Sequence, residues 1–393
     1  MGNARPQVRI GTVLGGVYQL RALVGEGGMG AVFEARHLQS GHRAAIKLLR
    51  DDLARDPRAV ERFHRECRAA STVRHRNVIE VLQAGQTDDG VPFYAMAFLD
   101  GETLARRLET RGRLSEEEAV TVLAPVLGAL AHAHRLGVIH RDVKPENIFL
   151  ARSTSGQDRP VLMDFGVAAF LHEADLDAPG AVVIGTPAYM APEQAAGTSR
   201  GHAGCDIYAV GVSLYELLTG LSPYQRENDE ATLSAILNEG VRSPSRIVPA
   251  ISPAMEAVIL CAMARDPQHR FPSAEAAAAA LHDALQEPAG SAVLQQYPLA
   301  RTVIASRASQ TGNSRRKRGS EFADNRARTV MIVLDKDGGA QVAEPSQLAA
   351  AAPPPVDDEK RQKMLALVAS VAIFLVGLGV LLFALVSRGF LRR

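Results

Sequence analysis

Cysteine is scarce in this chain: three occur in 393 residues, Cys67, Cys205 and Cys261, far apart and with no CxxC pair. A disulfide scaffold and a zinc module are both unexpected on that count, and a reducing compartment fits. An excess of one charge is also lacking, since 44 basic and 43 acidic residues leave a formal net charge of +1. That balance excludes a nucleic-acid binder working by bulk electrostatics, so no nucleic-acid partner is expected. The opening MGNARPQVRIGTVLGG has no apolar run of the kind a secretory signal needs. Pro6 also stands where a myristoylation pattern wants Ser or Thr.

What the chain does contain is ordinary globular material, 47% hydrophobic and 22% charged, enough to bury a core and long enough for two or three units. Its apolar residues are concentrated at one place. Met364 to Val386 is an uncharged run, MLALVASVAIFLVGLGVLLFALV. As a helix it would be about 35 Å long, against about 30 Å of bilayer hydrocarbon. A transmembrane helix over 364–386 is expected, with 387–393 a short extracytoplasmic tail. Residues 288–363 are rich in Ala, Ser, Arg, Pro and Gln, with a basic cluster at Arg315, Arg316, Lys317 and Arg318. They read as a disordered juxtamembrane linker with a reach of roughly 50 Å, and the basic cluster as a contact for anionic membrane lipid. Residues 1–17 form an N-terminal extension, which leaves 18–287 as the folded domain.

Within that domain, VGEGGMGAVFEA brings Gly25, Gly27 and Gly30, followed by Val32. Glycines there let a turn approach phosphate oxygens with no Cβ in the way. A dinucleotide-binding turn would need a helix opening at the third glycine. Here AVFEARH and RAAIKLL read as two β-strands instead, with Lys47 in the second. Further on come IHRDVKPENIFL at 139–150, MDFG at 163–166, GTPAYMAPE at 185–193, DIYAVG at 206–211 and DPQHRF containing Arg270.

Taken in this order and spacing, the motifs resemble a protein kinase, and most closely the eukaryotic-like Ser/Thr protein kinases of bacteria, many of which carry one transmembrane helix after the kinase domain. The resemblance covers 18–287 and implies an α+β, bilobal fold: a small β-rich N-lobe and a large helical C-lobe. It implies ATP and magnesium, with manganese able to substitute, and transfer of the γ-phosphoryl group to Ser/Thr hydroxyls of protein substrates, the chain itself included. Lys47 would pair with the α- and β-phosphates, oriented by Glu66 on a helix from about Arg58 to Thr72, with Glu61 the alternative. Asp142 would take the proton of the incoming hydroxyl, Lys144 would sit over the transferring group, and Thr186 would brace both. Asn147 and Asp164 are the implied metal ligands, hard oxygen donors suited to magnesium. Val24, Val32, Ala45, Met96 and Phe149 would line the adenine pocket, and the Ala97 carbonyl and Leu99 amide would bond adenine.

Other residues read as structural. Glu193 and Arg270 are expected as a buried ion pair, and Asp206 as an acceptor for the catalytic-loop backbone. His132 and His134 read as part of a packed helix face, and His140 as a packing residue. The alternative of a binding module with a kinase fold would need a lesion at Lys47, Asp142, Asn147 or Asp164, and each is intact. Flanking charges leave the orientation of the span tied. The need for ATP decides for a cytoplasmic kinase on the inner (cell) membrane. Gly377 and Gly379 offer close helix contact and with it self-association. Thr329, in ARTVMI after Arg326 and Arg328, reads as a phosphothreonine site for an adaptor, with Thr302 in the related ARTVI weaker. Residues 167–185 contain no Ser, Thr or Tyr. One of Glu173, Asp175 and Asp177 is therefore expected to pair with Arg141 where a phosphate otherwise would.

Overall fold

The structure is a computed structural model that describes residues 10–27, 30–153, 156–165, 187–197, 202–289, 292–305, 332–334 and 340–342. The chain forms two units, Met1–Arg318 and Gly319–Arg393.

The first unit begins with strands β1 (Val13–Leu14), β2 (Tyr18–Glu26), β3 (Gly30–His37) and β4 (Arg43–Leu49), then helix α1 (Pro57–Thr72), β5 (Val81–Gln86) and β6 (Pro92–Ala97). The six strands form one antiparallel sheet in the order β1-β2-β3-β4-β6-β5. Alternation sets its faces: Leu20, Phe33, Ala35, Ile46, Leu48 and Phe93 are buried in a small core of their own. Helix α1 starts at Pro57, whose fixed φ suits a first turn, with the Asp56 side chain accepting from the Arg58 amide. Its buried face carries Ala59, Phe63, Glu66, Cys67 and Ala70. The acid in that row has consequences at the site.

The larger core is helical. A three-stranded sheet of β7 (Gly101–Thr103), β8 (Ile148–Ala151) and β9 (Arg159–Leu162) accompanies helices α2 (Leu104–Arg111), α3 (Glu116–Arg135), α4 (Ala203–Thr219), α5 (Asp229–Asn238), α6 (Pro253–Ala262) and α7 (Ala274–Gln286). Ser115 and Glu118 close a capping box at the start of α3. Gly220, at φ 74°, ends α4 in the left-handed conformation that a residue with a Cβ resists. Helix α4 is buried along most of its length, and Gly211 lets it approach α6. A Cβ there would stand 2.8 Å from Ala262 Cβ and 2.9 Å from Met263 Cγ. Gly211→Ala is therefore expected to cost about 1–3 kcal/mol by overpacking, read from a thermal melt; an unchanged midpoint would show that α6 gives way freely.

The helical core runs past the sequence-derived boundary at 287, and the linker expected from 288 has to be corrected. Ala292–Gln295 is helical and residues 298–305 form a further helical stretch, with Leu294, Ala300 and Ile304 buried in the large core. The Tyr297 ring lies edge-on to Phe271 at 4.8 Å. Composition concealed this, because a few apolar anchors among many small and polar residues suffice when a preformed surface receives them. Thr302 accordingly sits on a packed helical stretch, its hydroxyl donating to the Pro298 carbonyl at 2.9 Å. Ending the chain at Glu287 is expected to lower the melting midpoint relative to ending at Ala305, because the large core loses the apolar cover of Leu294, Ala300 and Ile304. Equal melting midpoints for the two chains would refute this.

In the second unit, Ile332–Leu334 and Ala340–Val342 pair antiparallel, with Ile332 opposite Val342. A hairpin thus lies inside the stretch expected to be disordered throughout. Its connection, DKDGG, has the turn-forming residues that such a loop needs. Among the described residues no helix is long and apolar enough to cross a membrane. The run 364–386 lies outside them, as does Thr329.

Candidate active site

The two cores of the first unit meet along a line where strand ends and loops bring charged groups together. From β4, Lys47 reaches Glu66 Oε1 of α1 at 2.7 Å and Asp164 Oδ1 at 2.7 Å. Glu66 is 1% exposed and the Lys47 side chain 12%, so this pair is buried and not a solvated surface pair, while the Asp164 side chain, 36% exposed, stands at its open side. Glu61, the alternative partner, faces away and binds Arg65 and Arg68 on the exposed side of α1.

The same Glu66 oxygen accepts from the Tyr94 hydroxyl at 2.8 Å. Burial raises the Glu66 carboxyl to about 7, although Lys47 works against that rise. Burial alone would depress the Lys47 ammonium, but Asp164, Tyr94 and Glu66 hold it well above the usual lysine value. Burial likewise works against the Asp164 carboxylate, yet Lys47 keeps its pKa below the ordinary one.

The second cluster is built on the loop between α3 and β8. Asp142 is gripped from two sides. Asn147 Nδ2 donates to its carboxylate at 2.9 Å and to its carbonyl at 2.8 Å, while Lys144 Nζ stands 2.9 Å from Oδ2. The loop is itself pinned from below by Asp206 of α4, which is fully buried. Asp206 accepts from the His140 amide at 3.0 Å and the Arg141 amide at 2.7 Å. His134 Nε2 lies 2.8 Å from the same carboxylate. Burial would raise Asp206, but His134 holds it below the usual range.

His134 therefore departs from the expected packing role and belongs to the loop's anchor. His140 is also more than packing. Its Nε2 donates to the Met163 carbonyl at 2.8 Å, and its ring lies 4.7 Å from Phe165. Among the described residues, two non-glycine residues have left-handed backbones, Arg141 at φ 67° and Asp164 at φ 54°. Each costs of order 1–3 kcal/mol and persists only because its surroundings over-determine it. The Asp206 bond does so for Arg141, and Lys47 for Asp164.

The glycine turn has two kinds of glycine. At Gly30 a Cβ would run into the Leu48 carbonyl, so the protein's own backbone demands glycine there. A Cβ at Gly25 meets nothing within 4 Å, and one at Gly27 only the Gly30 carbonyl oxygen at 4.0 Å. Among the described residues no neighbour explains those two, and a turn without Cβ there suits a ligand's backbone-close approach. Val24 is 58% exposed, Ala45 and Met96 are each 9% exposed, and Val32 and Phe149 are partly buried. Ala97 ends β6, its amide bonded to the Glu80 carbonyl at 2.9 Å, and Leu99 follows, partly buried. Arg43 stacks 3.8 Å over the Phe98 ring and binds Asp100.

As for a cation, the donor chemistry fits: Asn147, with Nδ2 on Asp142, offers a side-chain carbonyl oxygen, and Asp164, with Oδ1 on Lys47, offers a carboxylate, both the hard oxygen type that magnesium takes. Thr186 and the acidic residues Glu173, Asp175 and Asp177 lie outside the described residues. Below the site, Glu193 and Arg270 form the expected buried pair, with both contacts at 2.7 Å.

Sequence reasoning missed Tyr94 and the true partner of His134. The register Lys47↔Tyr94 across β4 and β6 carries the first, and no short motif contains it.

A family profile described as "Protein kinase domain" matches residues 18–283. The chain is 43% identical over 273 residues to the serine/threonine-protein kinase pkn3 of Myxococcus xanthus, an alignment covering 68% of this chain and 50% of that relative. It is 39% identical to Pkn1 of the same organism, over 72% of this chain and 42% of the relative. The chain thus spans half or less of the length of these relatives. Among solved structures, the PknI kinase domain of Mycobacterium tuberculosis superposes with a TM-score of 0.57 at 27% identity, covering 70% of this chain and 98% of that one.

Proposed function

The chain belongs to the protein kinase family, and from that membership we propose that it transfers the γ-phosphoryl group of ATP to serine and threonine hydroxyls of proteins, its own included. The single observation that carries the reading is the pair of clusters: Lys47 bridging Glu66 and Asp164, and Asp142 held between Lys144 and Asn147. Phosphoryl transfer needs little covalent help from a protein and much positioning and charge neutralisation. Lys47, kept cationic by its acidic neighbours, binds phosphate oxygens and orients them. Asp142 accepts a hydrogen bond from the acceptor hydroxyl, aligns its oxygen and takes its proton as the new bond to phosphorus forms and the bond from the γ-phosphorus to the β–γ bridging oxygen breaks, releasing ADP. Lys144, already against Asp142, offers positive charge to the group in transit. Asn147 and Asp164 would hold magnesium, which would supply neutralisation of the phosphate charge. The turn without Cβ at Gly25 and Gly27 admits the phosphates, and the strand edge at Ala97 to Leu99 presents backbone groups to adenine.

The test is transfer of labelled γ-phosphate to the chain itself and to a basic protein in the presence of magnesium, beside an Asp142→Asn control. Label in neither, or equal label with the control, would reject the reading. A membrane anchor at Met364–Val386, with the kinase domain in the cytoplasm of the cell (inner) membrane, completes it, since ATP is found there. Protease added to intact cells should spare residues 18–287, and their digestion would overturn the orientation. Thr329 is the proposed autophosphorylation site for a phosphothreonine-reading adaptor, which phosphosite mapping of the autophosphorylated chain would decide.

A further inference from the structure

The strand β6, PFYAMA, is buried and apolar apart from one hydroxyl, that of Tyr94. A tyrosine that is 3% exposed in such a strand must find its O–H a partner, and the one it finds is Glu66 Oε1 at 2.8 Å. This is the oxygen that Lys47 also binds, at 2.7 Å. Lys47 and Tyr94 stand directly opposite each other in the antiparallel register of β4 and β6, so helix α1 lowers one carboxylate onto two donors fixed by the same sheet. The Tyr94 ring meanwhile packs on Phe63 of α1, with centroids 5.2 Å apart.

We propose that the Tyr94 hydroxyl is a latch holding helix α1 inward, so that Tyr94 is a positioning residue for the Lys47–Glu66 pair. Swinging α1 outward breaks two bonds at once and strands a phenolic O–H in an apolar strand. The inward position is thus favoured by a group that never leaves the sheet. Lysine alone provides a weaker hold, because Lys47 divides its charge between Glu66 and Asp164. The sequence supplies a second reason for such a device. Residues 167–185 contain no Ser, Thr or Tyr, so no phosphate within that stretch can order the site. The latch substitutes an internal, unmodified contact. Its catalytic consequence rests on the kinase reading above, whereas its hold on α1 does not.

Tyr94→Phe removes the hydroxyl and keeps the ring. Amide hydrogen exchange across Pro57–Thr72 in the full chain is expected to accelerate about tenfold, with the melting midpoint nearly unchanged. In kinetics, kcat/KM for ATP should fall about tenfold while KM for the protein substrate stays put. Added to Glu66→Ala, Tyr94→Phe should change neither readout further, because the hydroxyl acts only through that carboxylate. Unchanged exchange in the single variant, or a full additional loss in the double variant, overturns the latch. If the wild-type chain transfers no phosphate, the kinase reading fails, and the exchange measurement still decides the latch by itself.

Discussion

Asp142→Asn is expected to lower kcat about a thousandfold, the range in which a positioned general base and its alignment of the acceptor contribute, while ATP binding and the melting midpoint stay near wild type. The isosteric amide keeps the shape of the side chain and cannot take the hydroxyl proton. It also disturbs an arrangement that depends on charge. Lys144 stands 2.9 Å from the carboxylate and Asn147 donates to it at 2.9 Å. An amide at position 142 offers one acceptor where the wild type has two, and turns an N–H toward one of those donors. The loop itself should survive, since its backbone hangs from Asp206 through the His140 and Arg141 amides. Steady-state kinetics with a separate nucleotide-binding measurement checks this. A variant that keeps a tenth of the wild-type rate would remove Asp142 from the proposed role.

Arg270→Ala should be the most destabilising of the substitutions considered, at about 3–5 kcal/mol, a loss of roughly 10 °C in melting midpoint for a domain of this size. The Arg270 side chain is fully buried and makes two 2.7 Å contacts with Glu193. It also donates to the carbonyls of Ala264 at 2.8 Å and Gly204 at 3.0 Å. Alanine leaves a mostly buried carboxylate facing its vacated partner. Glu193→Gln in the same chain should recover part of the loss by removing that charge, but only part, because the carbonyls stay unpaired.

The pH dependence has a definite sign. Burial pushes the Glu193 carboxyl up, but its bonds and charge attraction to Arg270 bring it below the usual value. In the wild type this contributes stability that is present above the ordinary glutamate range and is lost as pH falls through the lowered pKa. In Arg270→Ala burial is opposed only by the backbone bond, Cys205 and the partly exposed His202, so acid relieves much of the penalty. The gap between the two midpoints should narrow from pH 7 toward pH 4, and a constant gap would mean that the charge of Glu193 is immaterial.

How much of this was legible beforehand follows from how local each feature is. Lys144 and Asn147 lie within five residues of Asp142, so one turn of loop fixes their mutual approach, and a motif can carry it. AVFEARH and RAAIKLL, around Lys47, were readable as strands for the same reason. Glu66 and Glu61 lie on one helix, and both are acidic. Choosing between them needs the rotation of α1 about its axis, which the packing of Ala59, Phe63, Cys67 and Ala70 against the sheet decides. The contribution of residues 292–305 was hidden because their composition is weak and the surface that receives them is assembled from distant helices.

By itself, then, the sequence determined the family, the two strands around Lys47 with the helix that follows them, and the contiguous motifs of the proposed site, because these depend on neighbours a few residues apart. The tertiary structure decided what meets across long separations: Tyr94 with Glu66, His134 with Asp206, and Leu294, Ala300 and Ile304 with the large core. Those contacts depend on strand register, helix rotation and the shape of a finished surface. Each of these is a collective result of packing the whole domain, and no short stretch of chain contains it.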